Sequence, residues 1–231
     1  MQNGISSSWA YSIIHQLIQD GHEYFCISPG SRSTPLVLAI HAHPEAKTFV
    51  CFDERSLAFH ALGYSKVSKK APVVVVTSGT ACGNLLPAIM ESFESSTPLI
   101  ILTADRPFEL QDSGANQTTL FQSSLYQNYV AYSLDLPAPD PLCIENLQQL
   151  VHKASYLSDK HQQSVHINCS FREPFDLTLT CNTASLNTKP LVSYAFEQSL
   201  SIQALQAIAA LLNNANKGVI ILGTGACKIG R

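Results

Sequence analysis

Five β-branched residues in a row, Val73-Val74-Val75-Val76-Thr77, constrain this chain more than any other stretch. An all-β-branched run suits a central parallel strand covered by helices on both faces. Ala71-Pro72 precedes it, the small polar turn Ser78-Gly79-Thr80 follows, and an apolar helical segment runs from Ala81 to about Phe93. The same strand–turn–helix order recurs elsewhere. Tyr24 to Ser28 reads as a short buried strand that opens through Pro29-Gly30-Ser31-Arg32-Ser33-Thr34-Pro35 into a helix over Leu36 to Ala42. Thr48 to Phe52 reads as a buried strand that stops on Asp53-Glu54-Arg55, ahead of a helix-like pattern of Leu57, Ala58, Ala61, Leu62 and Tyr64. Leu99 to Thr103 closes on Ala104-Asp105-Arg106-Pro107. Such units joined by helix-length segments predict an α/β fold with a doubly wound parallel sheet, all polar turns crowding one edge.

The remaining segments extend this plan. Ser8 to Gln19 is a helix with serines to cap it and Gly21 to end it. Phe108 to Leu125 lacks periodicity and carries Gly114-Ala115-Asn116-Gln117-Thr118, whose amides can orient a polar ligand or simply be loop residues. Val130 to Leu134 reads as a strand, Ile144 to Leu157 as an amphipathic helix, and Ser164 to Cys169 as a strand. The Thr-, Ser- and Asn-rich stretch 176–199 reads as a linker. Beyond it, a helix from Ser201 to Leu212, a strand from Gly218 to Leu222 and the turn Gly223-Thr224-Gly225 read as the start of a second α/β domain over 200–231. The G-x-G resembles a nucleotide turn but is a weak signal alone.

Composition narrows the function classes. Charged residues make up 13% of the chain, against about 25% in an ordinary domain, which predicts an exterior partly buried in an oligomer. A net charge of -3 and a pI near 6.2 give no footprint for nucleic acid. No apolar run approaches a membrane span, and Met1-Gln2-Asn3-Gly4 does not open a signal peptide. The seven cysteines form no C-x-x-C pair, and Cys26 and Cys51 lie in strand-like runs. Buried reduced thiols and a cytoplasmic location are the expectation. The eight histidines include no H-E-x-x-H, so no metal site held by this chain alone is expected.

Two features carry chemistry. Glu54 sits where an apolar strand meets an apolar helix, at the edge where α/β proteins place their sites. It is either a functional carboxylate or a helix N-terminal acid favouring the dipole. Of the five arginines, Arg32, Arg55, Arg106 and Arg172 fall at strand ends or turns, whereas lysines such as Lys66, Lys69 and Lys70 lie where solvent is expected. The guanidinium fork matches carboxylate or phosphate bidentately, so this split favours an anionic ligand, with structural ion pairs as the plain alternative. At Arg32 the anion reading is strengthened by small residues at a helix start.

Taken together, Ser28 to Pro35, Asp53-Glu54-Arg55-Ser56, Thr77 to Ala81, Thr103 to Pro107 and Gly114 to Thr118 occur in one order and spacing. They closely resemble the N-terminal half of the 2-succinyl-5-enolpyruvyl-6-hydroxy-3-cyclohexene-1-carboxylate synthases, thiamine-diphosphate enzymes of menaquinone biosynthesis. The resemblance runs from about Trp9 to Pro174. Ser170 departs from it, standing where proline is expected before Phe171.

The resemblance implies a pyrimidine-binding domain over 1–175, then the linker and the opening of a middle domain. A diphosphate-binding domain with a Gly-Asp-Gly run and an Asn-rich magnesium segment is absent from this sequence, so a truncated polypeptide is expected. Mg2+ would be held in that absent part. Glu54 would contact N1' of the aminopyrimidine from an apolar surround that raises its pKa, with Pro29, Ser78 and Thr80 lining the cofactor pocket. Ser31, Arg32, Arg106, Asn116 and Gln117 would bind the substrates, and Arg55 would be structural. The implied reaction decarboxylates 2-oxoglutarate and adds the resulting succinic semialdehyde carbanion to isochorismate. The implied assembly is a homodimer or homotetramer through this domain. An acetolactate-synthase-like lyase and a non-catalytic α/β binding module remain as alternatives.

Overall fold

The valine run forms β3 (Val73–Val76), every residue of it buried, at the middle of a sheet of six parallel strands. A computed structural model describes residues 4–175, 200–219 and 221. In chain order the first unit holds α1 (Ile5–Gln19), β1 (Tyr24–Ile27), α2 (Thr34–Ala42), β2 (Lys47–Val50), α3 (Glu54–Ser68), β3 and α4 (Thr80–Glu94). It continues through β4 (Ile100–Asp105), two short 3₁₀ turns, β5 (Tyr132–Leu136), α5 (Ile144–His161) and β6 (Val165–Ser170). The strand order is β2-β1-β3-β4-β6-β5. α1, α2 and α5 cover one face over Phe25, Val73, Val75, Ile100 and Leu102, and α3 and α4 cover the other over Cys26, Val74, Val76 and Ile101. The doubly wound sheet expected from the sequence is therefore present.

Chain order reverses direction twice across this sheet. β2 lies on one side of β1 and β3 on the other, and the chain passes β6's place to form β5 at the edge before returning. At each reversal the loops leave neighbouring strands in opposite directions and open a crevice at the carboxyl ends.

Several expectations are corrected. The strand before Glu54 is not buried: β2 is an edge strand with exposed Lys47, Thr48 and Val50. Phe52, just beyond it, is exposed, and Cys51 is only half-buried. The run Thr48 to Phe52 has an interior composition, but among the described residues no strand pairs with the outer side of β2. The cap of α1 is Gly4 in the left-handed region rather than a serine, because the helix begins three residues earlier than Ser8. β5 starts at Tyr132, two residues later than expected.

The stretch 176–199 and Gly223-Thr224-Gly225 lie outside the described residues, as do 220 and 222 of the expected strand 218–222; its described residues Gly218, Val219 and Ile221 are not in a strand. In the second unit, Ser201 caps α6 (Ile202–Asn214) by accepting from the Ala204 N–H at 3.1 Å, as its sequence predicts.

Candidate active site

The first reversal brings the loops after β1 and β3 into contact. A Cβ at Gly30 would overlap the Thr77 side chain, so only glycine allows this approach. Next to it Gly79 has φ +76, and a Cβ there would meet the Gln117 carbonyl at 2.8 Å. The Ser78-Gly79 turn is thus pressed against the loop that carries Gln117.

Arg106 fastens this corner. It follows β4 and is 8% exposed. Its Nη1 donates to Ser78 Oγ at 2.7 Å and to the Gln117 carbonyl at 2.8 Å. Ser78 Oγ in turn donates to the Gln117 carbonyl (2.9 Å), and Gln117 Nε2 donates to the Ser78 carbonyl (3.2 Å). The backbone of Arg106 is fixed as well, its N–H donating to Asp105 Oδ1 at 2.7 Å. Burial raises the Asp105 pKa, against hydrogen bonds from Asn168 and the Arg106 N–H that lower it. Among the described residues, Arg106 Nε and Nη2 have no hydrogen-bond partner.

Arg32, 7% exposed, enters the same corner from the loop after β1. Its Nη1 donates to the Phe171 carbonyl at 2.9 Å and its Nη2 pairs with Glu173 at 2.8 Å. Phe175 lies beneath the guanidinium, 5.1 Å from it. Burial lowers the Arg32 pKa, Glu173 opposes this, and the like charge of Arg106 adds to it. The two guanidinium groups therefore bring like charge to one corner.

Glu54 lies on the same sheet edge but at its end. Strand spacing puts β2 roughly 14 Å from β4, three strands away. Asp53 caps α3 by accepting from the Ser56 N–H at 2.7 Å, and the Ser56 side chain first, then this backbone bond, hold its carboxyl below the usual range, with Arg55 adding a smaller effect. Glu54 is the first residue of the helix and half-buried. Its Oε2 accepts from Asn84 Nδ2 of α4 at 3.1 Å, and its Oε1 has no hydrogen-bond partner among the described residues.

The structure joins Ser78, Arg106 and Gln117 through hydrogen bonds and sets Arg32 beside them. Pro29, Ser31, Thr80 and Asn116 are exposed on the same edge. Four residues escaped the sequence reading: Asn84, Asp105, Gln122 and Asn168. Asn168 had a readable signal, because His166, Asn168 and Ser170 alternate along a fully buried strand and must find partners inside the protein. Gln122 sits in an aperiodic loop and gave none. A cavity of about 660 Å³ lies farther along the edge, lined by Phe108, Asp135, Pro137, Asp140 and Arg172. Arg172 there is tied to Glu109. That cavity holds neither Glu54 nor the paired arginines, so we place the site at the loops after β1 to β4. Among the described residues no three of His, Cys, Asp and Glu gather into a metal site.

Comparison with known proteins identifies the domain that carries these loops. The family model described as thiamine pyrophosphate enzyme, N-terminal TPP binding domain, matches residues 8–125. A 2-succinyl-5-enolpyruvyl-6-hydroxy-3-cyclohexene-1-carboxylate synthase of Chlorobaculum parvum is 38% identical over 95% of this chain and 40% of its own length. One of Chlorobium limicola is 44% identical over 74% of this chain and 30% of its own. The chloroplastic protein PHYLLO of Arabidopsis thaliana is 37% identical over 95% of this chain and 14% of its own. The chain thus spans at most 40% of these relatives. A thiamine diphosphate-dependent 4-hydroxybenzoylformate decarboxylase of Rhodococcus jostii RHA1 shares the fold, with a TM-score of 0.69 at 17% identity over 90% of this chain and 38% of that one. With the glycine-tight crevice, the buried arginines and the helix-start carboxylate all inside or beside the matched segment, this chain belongs to the thiamine pyrophosphate enzymes, through their N-terminal TPP binding domain.

Proposed function

We propose that this chain carries the pyrimidine-binding half of a 2-succinyl-5-enolpyruvyl-6-hydroxy-3-cyclohexene-1-carboxylate synthase site, acting on 2-oxoglutarate and isochorismate in menaquinone biosynthesis. The observation that carries the reading is Arg106. A guanidinium 8% exposed, pinned through Nη1 and keeping Nε and Nη2 free of partners among the described residues, is built to receive an anion. Arg32 beside it supplies a second fork, and Glu173, 59% exposed, is a partner that an incoming carboxylate can replace or join. Both substrates carry two carboxylates. Arg32 and Arg106 bind these groups, while Ser31, Asn116 and Gln117 complete polar recognition.

The residues present fit the cofactor. Glu54 keeps one carboxylate oxygen free of partners among the described residues, which suits a hydrogen bond to the aminopyrimidine N1'. Its role is to hold and return a proton at that nitrogen. Pro29, Ser78 and Thr80 line the ring, Ser78 through its backbone because its hydroxyl is taken by Arg106 and Gln117. When bound, thiamine diphosphate supplies the electron sink that decarboxylation needs. Mg2+ would be held by the diphosphate-binding domain of the complete enzyme.

In this reading residues 1–175 form the pyrimidine domain, 176–199 the linker and 200–231 the start of the middle domain. Glu54 gains its apolar surround from a second subunit in a homodimer or homotetramer. Exposed Phe52, Phe59, Val67, Met90 and Phe93 on and beside α3 and α4 support such self-association. Free buried thiols at Cys26, Cys82 and Cys169 support a cytoplasmic setting. Among the described residues no helix is long and apolar enough to cross a membrane.

The test is an assay of the complete enzyme with 2-oxoglutarate plus isochorismate, and with pyruvate in place of 2-oxoglutarate. Turnover with the first pair only is expected, and preference for pyruvate overturns the substrate assignment. Calorimetric titration of this chain alone with thiamine diphosphate and Mg2+ should show weak binding or none. Micromolar affinity would refute the half-site reading.

A further inference from the structure

Behind Arg106 lies a second layer of polar side chains that the reaction itself does not use. Asn168 of β6 is its hub and is fully buried. Its Oδ1 accepts from Thr103 Oγ1 at 2.8 Å and from Gln122 Nε2 at 3.0 Å. Its Nδ2 donates to Asp105 Oδ2 at 3.0 Å and to Asp135 Oδ1 at 2.9 Å. Both donors and both acceptor sites of the amide are filled, so it has one possible orientation.

Two arms run from this hub to Arg106. The first passes through Asp105, whose other oxygen accepts the Arg106 N–H. The second passes through Gln122, 2% exposed. Its Nε2 also donates to the Ala104 carbonyl at 3.0 Å, and its Oε1 accepts the Gly79 N–H at 2.9 Å. A backbone N–H only donates and a carbonyl only accepts, so these contacts fix which end of the amide faces the turn. Gly79 is bound on one side by Gln122 and pressed on the other by the Gln117 carbonyl. Ser78, one residue back, holds the Arg106 guanidinium. The residue before Gln122, exposed Phe121, adopts φ +55, a backbone state that a bulky side chain enters only when its surroundings impose it.

We propose that Gln122 is a positioning residue for substrate binding. Its amide sets the height of the Ser78-Gly79 turn against β4 and thereby aims the free face of Arg106. The inference rests on the substrate role of Arg106 proposed above, and it adds a residue that touches neither substrate nor cofactor.

The test is Gln122→Met in the complete enzyme, a swap of similar length that removes all three side-chain hydrogen bonds. Amide exchange at Gly79, resolved to the single residue, should quicken by about tenfold or more, the scale of one lost buried bond. KM for 2-oxoglutarate or isochorismate should rise by about tenfold, with kcat and thiamine diphosphate affinity held within about twofold. A purely structural role would instead lower kcat and thiamine diphosphate affinity along with the rise in KM. Unchanged Gly79 exchange or an unchanged KM in a folded variant overturns the proposal. Should the variant fail to fold, wild-type exchange decides: Gly79 must be protected, and exchange as fast as that of exposed Asn116 refutes the bond. Absence of wild-type turnover with this substrate pair would instead refute the substrate assignment and leave the exchange measurement standing.

Discussion

The Arg106 corner and the Glu54 corner share one sheet edge and are built in opposite ways. At Arg106 almost every polar atom is buried and paired, from Asn168 through Gln122 and Asp105 to Ser78. At Glu54 the carboxylate has one hydrogen bond among the described residues, to exposed Asn84, beside the strand that ends the sheet. The difference follows from strand order. β4 has neighbours on both sides that supply partners, whereas β2 ends the sheet. Among the described residues one corner is closed by its own polar partners, and the other is left open at the end of the sheet.

The largest effect that would test this contrast is on rate. Glu54→Gln in the complete enzyme should lower turnover by about 10²–10⁴-fold, the range of a lost acid–base group, while the melting temperature of the fold stays unchanged. Normal turnover removes Glu54 from the chemistry, and a collapse of the fold shows that its corner is less independent than described.

Glycines probe the contrast in stability. Gly79→Ala should destabilise by about 1–3 kcal/mol, through strain at φ +76 and overlap with the Gln117 carbonyl. Gly83→Ala, with nothing within 4 Å of the added carbon in α4, should stabilise by about 0.5–1 kcal/mol. Urea denaturation of both variants measures the gap, and equal effects would mean that the Arg106 corner is not rigid.

Acid should loosen the buried corner. His166 is fully buried against Thr103, and burial pulls its pKa down to about 3. Below the unfolded value near 6.5, the unfolded chain takes up a proton that the folded chain refuses, so stability falls as pH drops from about 6.5 toward 3. Replacing His166 with Gln should remove about 1.4 kcal/mol of that loss per pH unit in this window. Unfolding curves at pH 4.5, 5.5 and 6.5, values chosen at roughly unit intervals to span this window, read it directly. An unaltered slope would show that the histidine accepts its proton without unfolding.

The smallest effect concerns Ser170, whose hydroxyl donates to the Arg106 carbonyl at 3.3 Å. Ser170→Ala should cost about 0.5–1.5 kcal/mol, the net value of one hydrogen bond. A larger cost measured by denaturation would mean that this contact anchors Arg106 more than Asp105 does.

The legibility of the chain in its sequence follows the same divide. β3 and β4 were readable because unbroken β-branched and aliphatic runs admit few environments. Arginines and a glutamate at strand ends were readable as candidates, and the structure places Arg32, Arg106 and Glu54 along one sheet edge. Burial of the strand before Glu54 was misread, since Thr48 to Phe52 has interior composition while its place at the sheet edge is a matter of topology, which no local pattern contains. Gln122 could not be found because its partners, Gly79 and Asn168, lie 43 and 46 residues away. Ser170 was visible as a departure, and only the structure shows that its hydroxyl reaches a carbonyl that proline has no donor to meet.

The contact of Gly30 with Thr77 has a mechanical corollary. With no room for even a methyl group between them, the loops leaving β1 and β3 are ganged like two teeth of one gear. Any attempt to widen the mouth for a bulkier reactant by shifting one of them will drag the other along. Such redesign has better prospects on the far wall, at the exposed Asn116 segment, than at the hinge between these two loops.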